Sequence, residues 1–228
     1  MHAIEAAATQ SAAAKLSTGA YGATRIVVSM FGALVAFAGV EHGLGEVLQG
    51  PVAPGGLAIE SWPDVKAFDI LAGEPAMTVI PNLLVTGVLA VIVALAVGIW
   101  SVRFVERRDG GPVLIGLSVL LLLVGGGVAP ALMGIILGIA ATRIGAVSRR
   151  PVGVVARAMG RAWPWALGVG VLGYLGLFPG LVVASWLIGV SDQNLVLALS
   201  AVAFAALLLA PVAARAHDRA HVRGAIVS

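Results

Sequence analysis

The chain has 228 residues, of which 60% are hydrophobic and only 11% charged, with a mean hydropathy of +1.03. A soluble domain needs far more charge to cover its surface, so the composition specifies a polytopic membrane protein with room for about five or six crossings of roughly 20 residues each. Cysteine is absent, which excludes disulfides, thiol redox chemistry and iron–sulfur clusters, and the net charge of +3 sits in arginines flanking apolar runs. Topology and anionic headgroups account for such arginines; nucleic acid binding does not follow.

In chain order, residues 1–24 read as a cytoplasmic N-terminal arm. It is not a cleaved signal peptide, because the first long apolar run begins only after Arg25 and ends in acidic residues. Residues 25–228 form a single transmembrane domain. The first span covers about 26–48 and ends at Gln49-Gly50-Pro51. An external segment follows at 51–77, in which Ser61-Trp62-Pro63-Asp64 predicts the start of a short interfacial helix with Trp62, Val65 and Phe68 on its apolar side. The second span covers about 79–102, capped by Thr78, with Pro81 in its first turn.

The apolar run 113–142 is too long for one ordinary span. Gly125, Gly126, Gly127 and Pro130 interrupt its middle, which predicts a helix break at 125–130. Further spans cover 163–190, kinked at Pro179, and 195–213. Between the broken run and the span at 163, Arg143, Arg149, Arg150, Arg157 and Arg161 accompany no acid, and Pro151 is placed to start a basic interfacial helix with Val152, Val155 and Met159 toward lipid.

Arginine placement decides the topology. If 113–142 crossed once, the five arginines that follow would lie outside, against the positive-inside tendency. If it enters and returns, every lysine and arginine except Lys66 is cytoplasmic. The expected fold is therefore an all-α transmembrane helix bundle in the cell membrane. It has four full spans, a broken hairpin that is either re-entrant or two short crossings, and both termini cytoplasmic. Each hairpin arm is about 18–22 Å, short of a core of about 30 Å. Its freed backbone groups must be buried among helices or line a wet cavity.

Ionisable groups within spans concentrate in one stretch, Glu41-His42-Gly43-Leu44-Gly45-Glu46-Val47-Leu48-Gln49. On a helix, His42 and Glu46 are one turn apart and Gln49 continues the row. Gly32, Gly39, Gly43 and Gly50 flank that row, so this face points into the bundle. Glu41 lies about 100° round from His42 and needs another helix to share a site with both. Counting from Arg25, His42 is about 25 Å across the membrane and Glu46 about 31 Å, at the outer edge of the hydrocarbon. A capped, solvated helix end is the bland account of this stretch. The functional one is a buried acid–imidazole pair that exchanges protons or binds a cation.

Glu74 and Asn82, with Thr86 one turn on, can approach the cluster from the second span. Asn82 fits a helix–helix hydrogen bond as well as a ligand, and Glu74 fits a solvated surface acid. His217 and His221 have metal-compatible spacing but lack a third ligand, so no metal site is expected there. One histidine within a span leaves no bis-histidine haem pair, and no cofactor is expected. Tyr174 and Ser185 read as packing residues.

Three functions fit these residues. Two helix interruptions together with an acid–histidine cluster suit a small transporter or permease for an ion or small molecule, with His42 and Glu46 as proton or cation site. The spacing His42-x-x-x-Glu46 on a membrane helix resembles that of the emopamil-binding, sterol-isomerase-type proteins. That resemblance implies a membrane-embedded enzyme acting on a lipid or apolar substrate through a paired acid and base. An accessory subunit, packing its glycine-lined face on a membrane partner or a second copy, is the third.

Overall fold

The computed structural model describes residues 22–145 and 153–227, with side chains to residue 220. Four helices are long and apolar enough to cross a membrane. They are α1 (Ala23–Gln49), α2 (Leu83–Arg103), the kinked pair α6 (Trp163–Leu175) and α7 (Val182–Ile188), and α8 (Gln193–Val227). Two shorter apolar helices, α3 (Gly110–Leu123) and α4 (Val128–Ala141), form a hairpin, and a short α5 (Val154–Arg161) precedes α6. The described residues are thus predominantly helical, as the apolar runs predict.

The glycine stripe of α1 is its contact with α2. The helices run antiparallel, with Gly32 against Ser101, Gly39 against Ala94, and Gly43 against Gly87. A Cβ on Gly87 would stand 2.4 Å from the Gly43 carbonyl oxygen. Without side chains at the crossing the backbones approach closely, which is how helices associate where lipid removes the usual hydrophobic driving force. The other side of α1 buries Val27, Val28, Phe31 and Val35 against Leu114, Leu137 and Leu207. At its start, Asp218 of α8 accepts hydrogen bonds from Ala23 N (2.7 Å) and Thr24 N (3.0 Å). A carboxylate there satisfies two of the free N–H groups of the first turn. Asp218→Ala is expected to lower stability by about 1–2 kcal/mol, read as an earlier thermal unfolding transition in detergent. An unchanged transition would mean that this cap contributes nothing.

The break in the 113–142 run is real but shorter and earlier than expected. Helix α3 ends at Leu123 and α4 starts at Val128, so Pro130 lies in the first turn of α4, where its missing N–H costs nothing. Gly125 (φ +91°) and Gly127 (φ +84°) make the reversal. Gly134 packs on Ser118, and Gly138 on Gly111 and Ile115, closing the hairpin along its length.

Segment 51–77 departs most from expectation. It contains no helix starting at Ser61. Strand β1 (Ala58–Glu60) pairs antiparallel with β2 (Pro75–Met77), and only a 3₁₀ turn at Asp69–Leu71 lies between them. Asp64, Ala72 and Glu74 all have left-handed φ, and Trp62 stacks on Phe68 with ring centres 4.7 Å apart. Helical continuation is not compatible with that path. The segment instead folds over the ends of α1 and α2, and then pairs with the hairpin tip: Val79 N donates to Leu123 O and Gly125 N to Met77 O. Thr78 therefore belongs to this pairing and does not cap the second span. The cap is Asn82, whose side chain accepts from Val85 N.

The second interruption is where Pro179 predicts it. Residues Gly176–Leu181 form a π turn, with extended backbone at Phe178. Helix α8 continues well past residue 213. The proposed helix start at Pro151 and Val152 lies outside the described residues.

Candidate functional site

Four ionisable side chains meet where segment 51–77, α1 and the hairpin tip converge. Three come from consecutive turns of α1: Glu41 is 8% exposed, His42 2% and Glu46 0%. The fourth is Glu74, held over His42 by β2 and by its own left-handed backbone (φ +57°). Non-glycine residues adopt that conformation at a cost of about 1 kcal/mol or more, and such strain concentrates at sites that require a particular side-chain direction. Glu74 Oε2 stands 3.4 Å from His42 Nε2. One ligand atom each from Glu41, His42 and Glu74 lies within 4.8 Å of the other two.

Ser61 joins the second half of the cluster. Its hydroxyl is 2.8 Å from His42 Nδ1 and donates to Glu46 Oε1 at 3.4 Å. Glu46 Oε2 has no hydrogen-bond partner among the described residues. It lies against Gly125, where a Cβ would stand 2.3 Å from it. Trp62 Nε1 donates to Glu41 Oε1. Gly45 lets segment 51–77 come this close, since a Cβ there would be 2.2 Å from the Ser61 carbonyl oxygen. Gln49 Nε2 then donates to the Ser61 and Glu60 carbonyls, at 3.0 and 3.1 Å.

The geometry corrects several sequence expectations. Glu41 is not turned aside; with His42 and Glu74 it forms the tighter group, while Glu46 is reached through Ser61. Glu74 is not a solvated acid: its side chain is 18% exposed, and burial pushes its carboxyl up to about 7. Asn82 is a helix cap away from the cluster, and Gln49 tethers backbone without entering the group. Gly126 packs on Leu121, while Gly127 sits directly on the imidazole: a Cβ there would be 2.3 Å from His42 Nε2. Sequence reasoning assigned Ser61 and Trp62 to an interfacial helix and so missed both. No local signal marked Ser61, and Trp62 was marked only by an indole N–H that needs a partner when buried.

A cavity of about 70 Å³ adjoins the group. Its polar end is Glu41, His42 and Glu74, with Tyr174 on α6. The remainder is apolar, including Phe31, Met133, Phe204 and Leu207. Ala129 and Pro130 after the first helix interruption, and Leu177 and Phe178 at the second, also line it. Phe178 carries its ring between Phe37 and Phe68, so the kink beside Pro179 closes one wall.

Comparison with protein-family models, characterised proteins and solved structures finds no match. What the chain can do must therefore be argued from this geometry. Its class is that of a helical protein with four membrane-length apolar helices.

Proposed function

We propose that this protein is a small cell-membrane transporter or permease, with both termini cytoplasmic, in which Glu41, His42 and Glu74 form a proton- or cation-binding site and Ser61 links it to Glu46. One observation carries the reading: both helix interruptions and the ionisable cluster meet at a single cavity. Interrupted helices leave backbone groups and helix ends free beside a site, the arrangement by which transporters bind ions within the membrane. The orientation rests on the arginines, which follow the positive-inside tendency only if the hairpin returns to the side it left. The hairpin tip is bonded to Met77 and Val79 of the outer segment. That favours two short crossings over an arm that turns back at mid-depth.

Uptake of protons, Na⁺ and Mn²⁺ into liposomes carrying the purified protein tests this reading. Wild type should exceed protein-free liposomes for at least one of these ions. His42→Ala and Glu46→Gln should return that rate to the protein-free level. Equal uptake by wild type and both variants would remove the role assigned to this cluster.

The apolar walls of the cavity favour a second reading, acid–base catalysis on a lipid-like substrate, with Glu41, His42 and Glu74 at the reacting end. Solvent extraction of the purified protein distinguishes the two. A stoichiometric lipid-shaped molecule lost on substituting Tyr174→Trp, which fills the cavity, supports catalysis or lipid binding over ion transport.

A further inference from the structure

The hydrogen-bond chain around His42 admits an arrangement that exposes a nitrogen lone pair toward Glu74. A serine hydroxyl carries one proton. When that proton goes to the Glu46 carboxylate, 3.4 Å away, the serine oxygen accepts at its 2.8 Å contact with His42 Nδ1 and the imidazole donates. In the neutral ring, Nε2 is then unprotonated, and it faces Glu74 Oε2 at 3.4 Å. Two acceptors facing each other in a buried site need a proton or a cation between them. Charge count makes the same demand. Three carboxylates and one imidazole share this region, and among the described residues none of those carboxylates is paired with a lysine or arginine. Burying uncompensated carboxylates is costly, and a cation is one way to offset that cost.

We propose that Glu41, His42 and Glu74 bind a divalent transition-metal ion, with His42 Nε2 as the nitrogen ligand and Ser61–Glu46 as the support behind it. This deepens the transport reading, on which its role as cargo or coupling ion rests. Ligands about 2.0–2.2 Å from such an ion are separated by about 3.0–3.5 Å. The His42–Glu74 distance already falls in that range, and the other separations, all within 4.8 Å, would close to it on binding. One imidazole with two carboxylates suits Zn²⁺, Mn²⁺, Fe²⁺ or Co²⁺ better than Mg²⁺, which prefers an oxygen-only shell. An imidazole whose far nitrogen donates to a fixed acceptor is the usual arrangement behind a metal-bound histidine. Glu41 is held in the same manner by Trp62. Gly127 keeps the space beside Nε2 free, and three protein ligands leave a position open toward the cavity.

The test is titration of Co²⁺ into the purified, tag-free, chelator-treated full chain in detergent, read by visible absorption and by bound metal after gel filtration. One equivalent should bind, displaced by Zn²⁺ and not by Mg²⁺. Glu74→Gln and Glu41→Gln, which keep shape and lose charge, should each abolish stoichiometric binding. Ser61→Ala retains all three ligands and should weaken affinity about 10–100-fold. The variants' thermal transitions establish that they are folded. Absence of binding in wild type, or binding unchanged in folded Glu74→Gln and Glu41→Gln, overturns the proposal. Ion uptake that persists in a protein without metal affinity would leave the transport reading standing alone. Metal binding without uptake of any ion would instead remove the transport reading and keep the site.

Discussion

Gly127→Ala is expected to be the most damaging single-methyl change in the chain, lowering stability by several kcal/mol and abolishing ion uptake. Two independent effects combine. The backbone at Gly127 has φ +84° and ψ +142°, a region that side chains with a Cβ enter only at a cost of about 1–3 kcal/mol. The new methyl would also stand 2.3 Å from His42 Nε2 and 2.4 Å from Cδ2. Because His42 is fully packed, its ring cannot yield without breaking its contacts to Ser61 and Glu74, and forced overpacking of this kind adds about 1–3 kcal/mol. Gly116→Ala is the control. It lies within α3, its added Cβ would meet nothing within 4 Å, and alanine favours a helix over glycine by up to about 1 kcal/mol. Thermal unfolding in detergent should therefore shift down for Gly127→Ala and stay level or rise for Gly116→Ala. Equal transitions would mean that the tip does not press on the imidazole.

Gly45→Ala is expected to cost more than Ser61→Ala, although only the latter removes a group from the site. The added methyl would lie 2.2 Å from the Ser61 carbonyl oxygen and 2.8 Å from the Trp62 ring. Neither can retreat alone, since Gln49 holds that carbonyl and Trp62 holds Glu41. Segment 51–77 must lift, which breaks the Trp62–Glu41 and Gln49–Ser61 bonds in addition to removing the serine hydroxyl from His42 Nδ1 and Glu46 Oε1. Each buried polar group so orphaned costs about 1–3 kcal/mol. Ser61→Ala removes only the hydroxyl and leaves the segment seated. Differential unfolding of the two variants checks the order, and a less stable Ser61→Ala would show that the segment docks by a different contact.

Much of the helical frame was legible before any coordinates. The glycines at 32, 39 and 43 marked the side of α1 that packs closely on a neighbouring helix, though not that the neighbour is α2. Three consecutive glycines in an apolar run announced the hairpin, and a proline preceded by phenylalanine announced the kink. The row of His42 and Glu46 was readable from helical period alone. What was not legible is what completes the site. Glu74 reaches His42 through a left-handed backbone that no local preference of glutamate predicts. Ser61 looked like a cap because serine before proline usually is one; it became a bridge only once Gly45 let the segment settle. Tyr174 lies on an ordinary apolar helix, and only the packing of α6 against α1 and α8 brings it to the cavity.

The hairpin tip, segment 51–77 and the ionisable row of α1 form one assembly. The absence of cysteine from the sequence permits a clean test. Thr78 and Val124 face each other across the antiparallel bridge that seats the tip. Directly opposed residues of this type have Cα atoms about 4.5–5.5 Å apart, within disulfide reach. A Thr78→Cys/Val124→Cys protein with a protease site inserted between Arg107 and Asp109 should, after mild oxidation and cleavage, migrate as one species until reduced. Separation of the two fragments without reductant, in protein that remains folded, would contradict the assembly and the site built on it.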